Sequence, residues 1–239
     1  MINKEDSPLY NLPVGLKRKD LLILDSIRFT IELIEENYSS LDKELKGLSY
    51  KHGNKKKNLI PTFNFCWSII DNIQRFIKLY KLLPTNNNHE LIKELSKVTP
   101  LRNTFQHMDE RVEECLLEYD MPFYGTVSWL INFGKDNFLH KFYALSGLYI
   151  PVKEKQLRIE KRDLPIDELH KITLQTFIRK GRKSTVIYEK KEIDLSELYV
   201  NFKSIIHQLE VNLSEQFIKQ KAQGLDWKKR RDIIIKIAF

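Results

Sequence analysis

The sequence predicts an α+β protein, mainly α: an antiparallel helical bundle with a small inserted antiparallel β-sheet. Three observations predict it. Apolar residues recur at alternating spacings of three and four early in the chain, which is the signature of a helical seam. Residues 123–193 are rich in β-branched and aromatic side chains and are cut by turn signals, which favours short antiparallel strands. A helical periodicity then returns and closes the chain. The division that follows is an N-terminal arm (1–16), a helical core (17–122), a β-rich insertion (123–193), a closing helix (194–224) and a C-terminal tail (225–239).

The arm carries Pro8, Pro13 and Gly15 and reads as irregular. From about Lys17 to Leu48, the residues Leu24, Ile27, Ile31, Ile34, Tyr38, Leu41, Leu45 and Leu48 form one seam, fit for a bundle core or a dimer. Lys51 to Asn58 reads as a lysine-rich solvated loop. A second helix is expected over Thr62 to Leu82, with Ile70, Ile73, Ile77 and Tyr80 inward and Phe76 beside them. Pro84 and the asparagines 86–88 end it. A third helical region should run from His89 to about Tyr119, interrupted by Pro100. Proline suits a first helical turn, so Thr99 is the expected N-cap of a new helix beginning there.

Beyond Pro122, strands are expected near Tyr124 to Ile131, Phe142 to Ile150, Ile172 to Phe177 and Thr185 to Tyr188. The turn signals between them are residues 134–137, Pro151, Pro165 and Gly181-Arg182. The closing helix starts near Asp194 or Ser196, turns Phe202, Ile206, Leu209, Leu213 and Phe217 inward, and stops at Gly224. The tail joins the basic run Lys228, Lys229, Arg230, Arg231 to an apolar end, residues 233–239, expected to dock on the body.

With 42% hydrophobic and 30% charged residues, the chain can build a real core and is not of disordered type. The net charge of +8 leans towards a polyanionic partner, although a basic surface alone is a common feature. Only two cysteines occur, Cys66 and Cys115, so a disulfide framework is not expected and both read as buried thiols. No secretory signal and no run of about 18 apolar residues is legible, which argues for a cytoplasmic protein without a membrane partner.

The chemistry concentrates in Leu101-Arg102-Asn103-Thr104-Phe105-Gln106-His107-Met108-Asp109-Glu110-Arg111. Arginine grips phosphate in a two-pronged way, and histidine titrates near neutral pH. On a continuous helix Asn103, His107 and Arg111 would share a face, with Gln106 beside Arg102 and with Leu101, Phe105, Met108 and Val112 as the buried side. A start at Pro100 would also put Arg102 and Asn103 in a first turn, where unpaired amides favour anions. Asp71, on the preceding helix, has two readings of equal weight. It could orient Arg102 or His107, or it could simply pair with Arg75 one turn away. Glu110, Glu113 and Glu114 near His107 raise the question of a metal. No second histidine stands at ligand spacing, so neither metal nor other cofactor is expected.

The pattern Arg102-Asn103-x-x-x-His107 resembles the signature of HEPN domains, in particular the abortive-infection-type branch. The preceding Phe65-Cys66-Trp67-Ser68-Ile69-Ile70-Asp71 segment and the following Pro122-Phe123-Tyr124-Gly125-Thr126-Val127-Ser128-Trp129 segment are similar as well. The resemblance covers about residues 20–130 and the closing helix. It implies a HEPN-like helical bundle and a metal-independent endoribonuclease that serves as a toxin or phage-defence effector. It further implies a homodimer in which two motifs face one composite cleft. Carried over residue by residue, His107 would be general base or acid, Arg102 the phosphate ligand, and Asn103 an orienting group. Gln106, Asp71 and Arg111 would support them, and Lys228 to Arg231 are candidate RNA contacts. An antitoxin or trigger protein is an implied partner. Asp109 departs from the pattern, since some family toxins carry a modifiable tyrosine there. A carboxylate at that place repels phosphate unless it pairs with Arg111 or Arg102. Two rival readings remain: a non-catalytic helical module that binds a partner protein or RNA, and a plain dimerisation protein. His52, His89, His140, His170 and His207 are scattered and carry no expectation.

Overall fold

The structure, a computed structural model, describes residues 6–13, 15–50, 58–84, 90–107, 109, 122–132, 138–146, 158–160, 168–180, 187–219, 232, 234, 236 and 237. Helix α1 spans Arg18–Tyr50, and six of its eight seam residues are buried, from Leu24 to Leu45, with Tyr38 and Leu48 packed at the edge. Helix α2 spans Ile60–Tyr80 and lies along α1. Pro61 sits at its start, where a missing N–H costs nothing, and Asn58 Oδ1 accepts the Ile60 N–H at 3.1 Å. Its stripe of Ile70, Ile73, Phe76, Ile77 and Tyr80 is buried as expected. The lysine loop and the asparagine run fall outside the described residues, apart from Asn58.

The third helical region corrects one expectation. It consists of α3 (Glu90–Leu95), a 3₁₀ turn (Ser96–Val98) and α4 (Thr99–Gln106). The backbone stays right-handed helical through Leu95, Val98 and Thr99, and the Thr99 N–H donates to Ser96 O. Thr99 is therefore not an N-cap. Its hydroxyl instead donates to Gln74 Oε1 at 2.6 Å and ties α4 to α2. A preceding 3₁₀ turn consumes amides that an open helix start would offer to an anion.

Five antiparallel strands make one sheet in the order β3-β2-β1-β4-β5. They are β1 (Thr126–Asn132), β2 (Phe138–Leu145), β3 (Arg158–Glu160), β4 (Leu169–Lys180) and β5 (Ile187–Asp194). The second strand starts and stops earlier than the run Phe142 to Ile150 suggested, the fourth and fifth are longer, and β3 was not foreseen. Apolar composition marks where a strand is buried, whereas its ends follow the pairing of neighbours. The register shifts between Ser128 and Leu130, opposite Lys171, whose φ is 48°, which marks a β-bulge. The Ile172 N–H there donates to Ser196 Oγ at 2.9 Å. Helix α5 (Leu195–Lys219) follows β5 directly. Asp194 Oδ1 caps it, accepting the Ser196 and Glu197 N–H groups at 2.9 and 3.0 Å. Its stripe Phe202, Ile206, Leu209 and Leu213 is buried, with Phe217 packed at the edge, and Gly224 lies outside the described residues.

One hydrophobic core joins helices and sheet. It contains Ile73 and Phe76 of α2, Val127 and Ile131 of β1, Leu174 of β4 and Phe202 of α5. The core thus does not divide at residue 123. The arm also belongs to it through Leu9 and Leu12, both 1% exposed. Ser7 and Tyr10 of the arm hydrogen-bond Glu210 and Glu32. Nearby, Arg28 is 3% exposed and pairs with Asp25, Glu32 and Asp232. Burial alone would ease loss of its proton. The bonds to Asp25 and Glu32 outweigh that and hold the guanidinium above its usual range. In the tail, Ile234 is 99% and Ile237 68% exposed, so these two do not dock as expected, and the rest of the apolar end lies outside the described residues. At Asp232 the tail meets the body by charge, through Arg28. Cys66 is a buried free thiol whose proton is held more tightly through burial, as befits an inert core cysteine, and Cys115 lies outside the described residues. No helix among the described residues is long and apolar enough to cross a membrane.

Trp129 links sheet to helix. Its ring stacks on Phe142 at 5.6 Å, and its Nε1–H donates to Ser49 Oγ at 2.8 Å, both groups being buried. Trp129→Phe keeps most of the ring volume but leaves the Ser49 hydroxyl short of a donor. A loss of about 1–2 kcal/mol is expected, read as a lower urea midpoint with an unchanged slope.

Candidate functional site

Helix α4 places the motif. Leu101 and Thr104 point into the core, Phe105 is half-buried, and Asn103 and Gln106 face solvent. Arg102 is one-quarter exposed and donates from Nε to Asp71 Oδ1 on α2 at 3.3 Å. The other oxygen of Asp71 accepts from Arg75 Nη2 at 2.6 Å. Both readings of Asp71 therefore hold at once: one carboxylate serves two arginines. All three groups are partly hydrated, so each pair contributes only about 0.2–1 kcal/mol. The larger effect is positional. Nε is taken by Asp71, and among the described residues Nη1 and Nη2 of Arg102 have no ion-pair or hydrogen-bond partner. Two cations sharing one anion also leave the patch with a net positive charge.

The second half of the motif departs from expectation. Helix α4 ends at Gln106, and His107 is its C-cap with φ −117° and ψ 24°. The His107 N–H donates to Thr104 O at 3.2 Å, a tightened last turn. His107 is exposed, and Asp109 beyond it is exposed in a 3₁₀ conformation. His107 is thereby the cap of α4 and not part of a helix that continues through it, and the expected shared face with Arg111 lies outside the described residues. Neither glycine nor proline marks this end, so helical periodicity alone could not have located it. Arg111, Met108, Val112 and the run Lys228, Lys229, Arg230, Arg231 lie outside the described residues.

A cleft of about 1110 Å³ opens between α2, α4 and the turn that leads into β1. Arg102, Asp71 and Gln106 line it, whereas Asn103 and His107 do not. Its floor is buried Phe63, Trp67 and Ile70, and its polar lining includes Asn58, Asn64 and Ser68. A chain of rings crosses it. Trp67 stacks on Phe105 at 4.0 Å and 12°, Phe105 meets Tyr124 at 5.6 Å, and Tyr124 meets Phe123 at 5.0 Å. Main-chain bonds hold this chain in place. Trp67 Nε1 donates to Tyr124 O at 3.1 Å, the Tyr124 N–H donates to Ser146 Oγ at 2.9 Å, and the Gly125 N–H donates to Pro122 O at 2.8 Å. The contribution of Trp67, Phe105 and Tyr124 to a cleft was missed in the sequence. In the sequence the run from Pro122 to Trp129 reads as the start of a strand and as part of a family resemblance, not as the wall of a cleft.

Among the described residues no cluster of three or more histidine, cysteine, aspartate or glutamate side chains could hold a metal ion. The fold and the cleft define an α+β protein with a cationic, aromatic-lined site at the junction of helices and sheet. Compared with known proteins, the chain matches no family model, no curated protein and no solved structure at a significant level.

Proposed function

We propose that the chain is a metal-independent endoribonuclease of HEPN type, working in the cytoplasm as a homodimeric toxin or phage-defence effector. The observation that supports this reading is Arg102, held at Nε by Asp71 with its two terminal nitrogens left for a phosphate, five residues before an exposed His107. Arg102 binds a non-bridging phosphate oxygen and stabilises the charge that grows there. His107 accepts the proton of an RNA 2′-hydroxyl. The 2′-oxygen then bonds to phosphorus, the bond from phosphorus to the 5′-oxygen breaks, and a general acid protonates that oxygen. The products are a 2′,3′-cyclic phosphate and a 5′-hydroxyl. Asn103 orients the phosphate or the imidazole. Because His107 and Asn103 stand on the open surface, a second copy of the chain completes the site, its own turn supplying the second histidine. An antitoxin or trigger protein would act by controlling that pairing.

The test uses the purified chain, a single-stranded RNA and excess chelator. Cleavage that yields cyclic-phosphate ends, with the equivalent DNA left intact for want of a 2′-hydroxyl, is expected. RNA that survives under these conditions, with the protein folded and dimeric, overturns the reading. One observation favours a second reading, a non-catalytic module that binds RNA or a protein: neither Asn103 nor His107 lines the cleft. That reading predicts binding without cleavage in the same experiment.

A further inference from the structure

We propose that the aromatic cleft is a nucleobase pocket, which takes one or more unpaired bases of single-stranded RNA while the adjoining phosphate meets Arg102. The inference rests on Arg102 as a phosphate ligand and adds how the substrate is selected. Four rings stand in contact: Trp67 stacks on Phe105, Phe105 meets Tyr124 at a tilt, and Phe123 stands edge-on to Tyr124. Trp67 is 7% exposed, Phe105 and Phe123 are half-buried, and Tyr124 is 44% exposed. The ring chain is thus closed at Trp67 and most open at Tyr124. A planar ligand can stack on the Tyr124 ring there, as bases do on aromatic platforms in single-strand binders. A base in a paired helix has no open face to offer, so the pocket selects unpaired RNA.

Three further features fit a nucleotide better than an apolar peptide. The lining carries amides, Asn58, Asn64 and Gln106, that can donate to and accept from base edges. The cationic group on the same wall is matched to a phosphate, and the chain carries a net charge of +8. The volume, about 1110 Å³, exceeds the roughly 300–1,000 Å³ typical of small-ligand pockets, so it accommodates a base with its sugar and phosphate. The frame is also preorganised. The bonds that position Tyr124 run through its own N–H and carbonyl, so binding orders no loop there.

The experiment compares two uncleavable probes on the intact chain at low salt, by fluorescence anisotropy. One is a short single-stranded 2′-O-methyl oligonucleotide, and the other is the same backbone without bases. The base-bearing probe is expected to bind roughly tenfold more tightly. Tyr124→Ala should abolish that margin and leave the abasic affinity unchanged, and Tyr124→Phe should keep it. Arg102→Ala should weaken both probes alike. Because the Tyr124 main-chain bonds survive either substitution, loss of the fold is not the expected cause of any change. Equal affinities on the parent protein, no binding of either probe, or a margin untouched by Tyr124→Ala would each overturn the proposal. A base margin in a protein that cleaves nothing retains the pocket and removes the nuclease. Cleavage without a base margin does the reverse.

Discussion

Gly125→Ala is expected to lower the stability by about 3 kcal/mol, the largest effect of any single methyl added to the described glycines. Two costs combine. Gly125 has φ +84°, where a side chain is strained by about 1–2 kcal/mol. A Cβ built there also lies 2.4 Å from Gln175 O, a backbone atom. Strand β4 cannot step back to make room, because it is hydrogen-bonded to β1 on one side and to β5 on the other. The turn must move instead, and with it Tyr124 and the carbonyl that holds Trp67. Gly47→Ala is the matched control. It lies exposed in α1 with nothing within 4 Å of the added atom, so alanine should stabilise by about 0.5–1 kcal/mol through helix propensity. Urea midpoints that move in opposite directions are the expected result. A Gly125→Ala protein as stable as the parent would show that the turn is not clamped against β4.

The contrast between these glycines shows what a sequence can carry. Gly47 is readable as an interruption of a helical pattern. Gly125 reads as part of the strand expected from Tyr124, and both its place in the turn before β1 and its closeness to Gln175, fifty positions away, are properties of the folded chain alone. The same division runs through the molecule. Local periodicity located α1, α2 and the start of α5 to within a few residues, because each buries one stripe that repeats every three or four positions. The paired strands β1, β2, β4 and β5 were legible in composition but not in extent. The three-residue β3 has too little sequence to signal anything. At the site, Asp71 and Arg102 were legible as a possible pair because Asp71 stands on a strongly written helix expected to pack against the motif helix. The end of α4 at Gln106 was not, since Met108, Asp109, Glu110 and Arg111 all tolerate helix. Thr99 and Pro100 imitate a helix start closely enough that only the backbone of the preceding 3₁₀ turn distinguishes the two cases.

In RNA cleavage, Arg102→Ala and His107→Ala are expected to cost about 10²–10³-fold and 10²–10⁴-fold in turnover respectively, with stability changed by less than about 1 kcal/mol. The informative variant is Arg102→Lys. A guanidinium can give Nε to Asp71 and still present two parallel N–H donors to a phosphate. A lysine ammonium is a single point of charge. If it pairs with Asp71 it is withdrawn from the phosphate, and if it reaches the phosphate it loses its anchor. Arg102→Lys should therefore resemble Arg102→Ala in turnover, although the net charge is preserved. Asp71→Asn separates anchoring from charge in the other direction. It keeps the volume, releases Arg102 and Arg75 from their shared carboxylate, and raises the positive charge of the patch. If attraction of RNA were all that mattered, Asp71→Asn would cleave faster than the parent. If Arg102 must be aimed, it should bind RNA at least as well and turn over about tenfold more slowly, since misplacement by an ångström is enough to cost that much. Parent-like rates in Arg102→Lys would remove the two-pronged contact from the mechanism, and a faster Asp71→Asn would remove the anchor.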